Sequence, residues 1–335
     1  MGQATRLSVT ATQKSGAAVR ASAEAAPTGH RREHTGQIAI LAFDHRGSLS
    51  SLLEPEVLAR TGGVDQALRQ AKALIMEAAV EAAPKVAEVA RPGVLVDELH
   101  GGELIGAAKR SGLLLAMPAE RSASPETELE LEFGTDFGAH IERCDPDLVK
   151  VLVFFDPERP AAVTEREVLT LRALSDWLVS SGRELLLEVQ VPPSERLLAR
   201  VGGSRERFES ELRFEATMQA IRTFRAAGVS VAWWKLEGVV DRGQALALSE
   251  LARSGSDPAH GCLLLGRNAP AELLRRWLEV AAGTPGWDGF AIGRSIWLSP
   301  VRDQLTGASD RRSAIAAIGS EWVRLARTWA ELKSA

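Results

Sequence analysis

Leu148-Val149-Lys150-Val151-Leu152-Val153-Phe154-Phe155 is an apolar run interrupted by one lysine. It lacks the strict apolar–polar alternation of a half-exposed strand. An unbroken run of this kind suits a strand buried on both faces, as in a parallel sheet covered by helices. Similar runs return at Ile38–Phe43, Val94–Asp97, Leu113–Met117, Leu185–Val191, Val231–Leu236, Cys262–Leu265 and Phe290–Trp297. Between them, stretches such as Val64–Val89, Glu165–Val179, Arg205–Ala227 and Ala271–Ala282 read as helices. Asp65 stands at the start of the first, Thr164 and Ser204 are candidate caps of two others, and Gly228 and Gly283 fall just past helix ends. Eight strands each followed by a helix predict a (β/α)8 barrel, the TIM-barrel architecture, as a single domain over residues 36–335. The competing fold is a doubly wound open sheet. Against it, Asp44-His45-Arg46-Gly47-Ser48 follows the first run, where a glycine-rich dinucleotide fingerprint would be required.

Composition narrows the class. The 335 residues are 45% hydrophobic and 25% charged, as in ordinary globular proteins, and a net charge of −4 gives no footprint for nucleic acid or an anionic membrane. No apolar run approaches the length of a membrane span, and no signal-peptide core is present. Cys144 and Cys262 show neither metal nor redox spacing and make no disulfide framework, so a cytoplasmic location is expected. Residues 1–35 are rich in Ala, Ser, Thr, Arg and Gly and hold no aromatic residue, so a disordered tail is predicted there.

In a barrel of this kind the active site forms at the carboxyl ends of the strands, so polar residues in or just after the apolar runs are the informative ones. The first run ends in Asp44-His45-Arg46 and the second in Asp97-Glu98; Lys150, Glu188 and Lys235 sit inside three central runs. A lysine in such a strand is costly unless it is paired or neutral. A structural ion pair accounts for one such lysine, but two lysines and a glutamate converging on one interior suit chemistry better, because buried ion pairs are often less stable than apolar replacements. A lysine must be unprotonated to attack a ketone, and lowering its pKa from ~10.4 to about 7 takes roughly 4 kcal/mol. Burial and a second ammonium supply that, which makes Lys235 the candidate nucleophile, Lys150 its neighbouring cation and Glu188 the general acid–base. An iminium on Lys235 would be the electron sink, so neither a metal nor another cofactor is expected. Gly266-Arg267 follows the seventh run and the eighth runs into Gly293-Arg294-Ser295, the two places where barrels often hold phosphate on backbone N–H groups and arginine. Asp44, Arg46 and Asp97 are candidates for binding sugar hydroxyls or the distal end of a substrate, with salt bridges sealing the mouth as the bland alternative.

Several of these motifs resemble one family. Leu41-Ala42-Phe43-Asp44-His45-Arg46-Gly47-Ser48, Val149-Lys150-Val151-Leu152, Glu188 followed by Val191-Pro192-Pro193, and Trp234-Lys235-Leu236-Glu237-Gly238 are similar to the class I tagatose-bisphosphate and sulfofructose-phosphate aldolase superfamily. Leu265-Gly266-Arg267 and Gly289-Phe290-Ala291-Ile292-Gly293-Arg294-Ser295 extend the likeness in collinear order. The pattern is closest to the aldolase domain often fused to 5-dehydro-2-deoxygluconokinase in bacterial inositol catabolism. His45 stands where tagatose-bisphosphate aldolases usually carry glutamine. The resemblance implies a Schiff base on Lys235, Lys150 and Glu188 as its partners, and phosphate recognition by Gly266, Arg267, Gly293, Arg294 and Ser295. It also implies cleavage of a phosphorylated keto-sugar or keto-sugar acid. In the inositol branch this is 2-deoxy-5-keto-gluconate 6-phosphate, which yields dihydroxyacetone phosphate and malonate semialdehyde. A phosphorylated sugar is the expected partner, and a homo-oligomer is expected because barrel aldolases commonly assemble. Two other readings fit the same barrel: a phosphosugar isomerase or decarboxylase using Lys235 electrostatically, and a non-catalytic phosphosugar-binding regulator.

Overall fold

The structure is a computed structural model that describes residues 36–50, 55–122, 124–255 and 259–335. The tail expected over residues 1–35 lies outside them. Eight parallel strands run in sequence order around a closed barrel. They are β1 (Ile38–Ala42), β2 (Arg91–Leu95), β3 (Leu114–Pro118), β4 (Leu148–Phe154), β5 (Glu184–Gln190), β6 (Trp233–Glu237), β7 (Gly261–Leu265) and β8 (Trp287–Ile292). The predicted (β/α)8 fold is therefore the one observed. Most strand ends shift by only a residue or three, but the last run divides. Its Phe290–Ile292 part is strand, and Arg294 opens a helix to Thr306 that carries Trp297 inward.

The helices follow the amphipathic stretches. Val64–Ala87 packs on the C-terminal helix Arg311–Ser334, while Ala161–Ser180, Arg213–Ala226 and Ala271–Ala282 cover other parts of the barrel. The expected helix over 205–227 is broken near its start by a π-helical turn at Phe208–Leu212. Ser204 caps that region by accepting from Arg207 N. Asp65 and Thr164 are not caps, because their helices begin earlier, after Gly63 and after Pro160. Proline suits the second start because its fixed φ is compatible with helix initiation.

Alternation along the strands divides the apolar residues into two sets. One set, with Leu41, Val149, Leu187, Trp234 and Leu264, faces the helices. The other, with Ile40, Ala42, Leu148, Leu186, Trp233 and Leu263, fills the barrel interior. Side chains two residues further along a strand point the same way. Leu148, Leu186 and Trp233 thus put Lys150, Glu188 and Lys235 one layer nearer the mouth, on a dry apolar floor. Register fixes the neighbours, because Glu188 pairs with Lys235 across β5 and β6.

The barrel closes where β8 meets β1, and Ile38 lies opposite Gly289. Gly289 has φ 142°, and a Cβ there would lie 1.9 Å from the Ile38 carbonyl oxygen. Replacing Gly289 by alanine is therefore expected to lower unfolding free energy by about 3 kcal/mol or more. Denaturant unfolding measures this, and an unchanged midpoint would contradict the closure described.

Candidate active site

The mouth of the barrel holds a cavity of about 150 Å³ lined by residues from β1, β3, β4, β5, β6, β7 and β8 or the turns after them, with Asp44, Lys150, Glu188, Lys235, Arg267 and Arg294 among them. At its base a chain of charges crosses the barrel. Lys235 Nζ donates to Glu188 Oε2 at 2.9 Å, and Lys150 Nζ lies 3.2 Å from the same oxygen. Lys150 also donates to Asp44 Oδ2 at 2.9 Å and to Glu120 Oε1 at 2.7 Å. Gln190 Nε2 donates to the other Glu188 oxygen at 2.9 Å, which fixes the carboxylate plane. All four charged partners of this chain, and Lys235 with them, are buried.

This arrangement determines protonation. Burial by itself would lower the Lys150 pKa, but Asp44, Glu120 and Glu188 outweigh it and hold the group well above the usual lysine range. Burial would raise Asp44 and Glu188, yet Lys150 and then Lys235 reverse this: Asp44 falls well below the carboxylate range and Glu188 falls to about 2. Glu120 goes the other way, since burial outweighs the pull of Lys150 and Arg46 and raises its carboxyl. Burial also pushes His45 down to about 3 against the pull of Asp44, so the imidazole is neutral. Lys150 is therefore a permanent cation between carboxylates.

The predicted anion cradle is divided. Arg294 opens the helix after β8 and lines the cavity without an ion pair to any described residue. Gly293 precedes it, and a Cβ at that position would meet the Ala42 carbonyl oxygen at 2.3 Å, so only glycine lets the chain approach β1 so closely. The Ser295 Oγ in the first turn is buried with no partner among the described residues. Arg267 also lines the cavity, but its guanidinium is engaged: it donates to Glu237 Oε1 at 2.6 Å and to Glu209 Oε1 at 2.6 Å. Arg267 and Asn268 both have positive φ, 49° and 56°, which holds the turn that aims this arginine. Gly266 is not on the cavity wall; its Cα side packs against Ile292.

The three other predicted binders also separate. Asp44 and Arg46 line the cavity. Asp97 does not: its carboxylate pairs with the fully buried Lys72 and accepts from His100 N at 3.0 Å, capping the helix at Glu98–Gly101. The reason is that a lysine from the Val64–Ala87 helix reaches it, and also donates to the Phe43 carbonyl at 3.0 Å. Sequence reasoning missed Glu120 and Gln190, which lie in the cavity beyond or at the ends of their strands. Period two from Ala116 through Pro118 reaches Glu120, and from Glu188 it reaches Gln190, so that signal was present.

A closed parallel barrel whose mouth gathers two lysines and three carboxylates is thus the class of protein that fold and site define. The chain belongs to the family described as "Uncharacterized protein conserved in bacteria (DUF2090)", whose profile matches residues 23–333. No curated protein matches the sequence. The crystal structure of Cgl0159 from Corynebacterium glutamicum (Brevibacterium flavum) is similar with a TM-score of 0.54 and 20% identity, over 88% of this chain and 86% of that one. At that identity the likeness concerns the fold. Among the described residues no helix is long and apolar enough to cross a membrane.

The charge chain has a pH signature. Glu188, lowered from 4.5 to about 2, contributes stability above its ordinary pKa, and that contribution is lost as pH falls through the lowered value. Asp44 acts in the same direction, whereas the raised Glu120 costs stability at higher pH and relieves it on acidification. Urea midpoints are expected to fall between about pH 4.5 and 2, and the fall to be shallower in Glu188→Gln. Parallel curves for the two proteins would refute the assignment.

Proposed function

We propose that this protein is a class I aldolase that forms a Schiff base on Lys235 and cleaves a phosphorylated keto-sugar or keto-sugar acid. The observation that carries the reading is the shared carboxylate oxygen of Glu188, 2.9 Å from Lys235 Nζ and 3.2 Å from Lys150 Nζ. That geometry offers a base beside one amine while the other amine is held charged by Asp44 and Glu120.

The chemistry follows from those roles. The free amine of Lys235 adds to the ketone carbon to give a carbinolamine, and Glu188, within hydrogen-bond reach, relays the proton released to the carbinolamine oxygen. Lys150 supports the oxygen that leaves as water, and the iminium forms. A base, with Glu188 in reach, then removes the proton of the hydroxyl beta to the iminium carbon. The carbon–carbon bond breaks, its electron pair enters the iminium to give an enamine, and the aldehyde departs. Protonation of the enamine carbon and hydrolysis return the amine and release dihydroxyacetone phosphate. Arg294 and the backbone at Gly293, which line the cavity at the start of the helix after β8, would receive the phosphate. Arg267 would join them only by leaving its two carboxylates. The sequence resemblance makes 2-deoxy-5-keto-gluconate 6-phosphate, with malonate semialdehyde as the second product, the first substrate to assay.

Borohydride treatment with dihydroxyacetone phosphate is expected to add mass to the peptide containing Lys235, and to add none in Lys235→Ala. Glu188→Gln should lose roughly 10²–10⁴-fold in kcat. Turnover without any covalent adduct would favour a non-covalent isomerase or decarboxylase, and neither adduct nor turnover with keto-sugar phosphates would favour a regulator.

A further inference from the structure

Around the mouth, the phosphate groups proposed above follow β8, and the Schiff-base lysine stands on β6. The turns after β1 and β3 close the opposite part of the cavity, where Arg46 and Glu120 meet. Both are more than nine-tenths buried, at 7% and 2% exposure. Arg46 Nη1 donates to the Glu120 carbonyl at 2.9 Å and to Glu132 Oε2 at 2.7 Å, and Glu120 Oε1 accepts from Lys150. Each side chain nevertheless keeps one atom unused. Arg46 Nε and Glu120 Oε2 are shielded from solvent and have no hydrogen-bond partner among the described residues. Buried polar atoms are nearly always satisfied, so an unmatched pair on two residues that line the cavity points to a partner from outside the chain. One atom is an obligatory donor; the other accepts, or donates if its carboxyl is protonated.

We infer that Arg46 and Glu120 form a subsite for the half of the substrate that leaves as the aldehyde, and that this half carries an oxygen function there, a hydroxyl or carboxyl group, which accepts from Arg46 Nε and shares a proton with Glu120. The inference rests on the aldolase reading, in which the other half of the substrate is held at Lys235 and the β8 turn. A hydroxyl satisfies both atoms at once, accepting from the arginine and donating to the glutamate. A carboxylate needs a protonated Glu120, and burial raises that carboxyl in the required direction. An apolar group at the same place would leave both polar atoms unmatched, and a site built to bond an oxygen rejects the analogue that lacks it.

The test runs the reaction in the synthetic direction with dihydroxyacetone phosphate and three aldehydes of equal carbon number: malonate semialdehyde, glyceraldehyde and propionaldehyde. The wild type is expected to favour one of the oxygenated aldehydes over propionaldehyde by about 10²-fold or more in kcat/KM. The favoured one tells carboxyl from hydroxyl. Arg46→Lys keeps the charge facing Glu132 but removes Nε, and Glu120→Gln removes the shared proton; in both, the preference should collapse to a few-fold. Borohydride trapping on Lys235 reads the Schiff-base step separately. With the adduct present, equal use of propionaldehyde by the wild type, or a preference that survives in both variants, would overturn the subsite and leave the aldolase reading standing. Absence of the adduct in the wild type, with no turnover of any aldehyde, would overturn both.

Discussion

Taking an ammonium group out of water costs several kcal/mol unless charges and hydrogen bonds replace its hydration. Lys150 is 3% exposed, and its replacement shell is assembled from Asp44, Glu120 and Glu188. Those residues come from the turn after β1, the turn after β3, and β5, so one buried cation draws distant parts of the chain to a common point. Excess carboxylate is then balanced by Lys235 on Glu188 and Arg46 on Glu120. The positions of the other charged groups at the mouth depend on this centre: without the ammonium, three carboxylates would face one another in a dry interior.

The barrel supplies the geometry that makes such a cluster possible. Its interior is plugged below by Leu148, Leu186, Trp233 and their neighbours, so water cannot reach the charges from that side. Above the plug, one step of the period-two repeat brings three ionisable side chains into one layer. Their spacing is set by strand pairing rather than by flexible loops, which favours a fixed arrangement over an adaptable one.

Arginines and lysines around the mouth divide by the company they keep. Arg294 reaches the cavity unpaired with any described residue, while Arg267, one strand earlier, is turned to Glu209 and Glu237. Arg213 also faces both of those carboxylates, at 2.7 Å from Glu209 and 4.0 Å from Glu237, so they are served by two guanidinium groups. Lys72 performs the equivalent service for Asp97 from outside the barrel. Equal charges at equivalent strand ends thus take different parts, decided by which helix packs alongside.

Much of the fold was legible in the sequence, because strand burial on both faces and helix amphipathicity are local patterns written into composition. The placement of Lys150, Glu188 and Lys235 followed from the same regularity, since each lies two residues beyond an interior apolar side chain. Arg294 was legible too, from the Gly293-Arg294-Ser295 motif into which the last apolar run leads. What the sequence did not contain was the pairing of side chains far apart in the chain: Arg46 with Glu132, Lys72 with Asp97, Arg267 with Glu209, and Glu120 with Lys150. By itself the sequence determined which residues could face the barrel axis, because alternation is a property of the local backbone. Only the tertiary structure decided which of those charges were neutralised by one another and which stayed open to a ligand, because that depends on distances between strand ends and helices that no local pattern encodes.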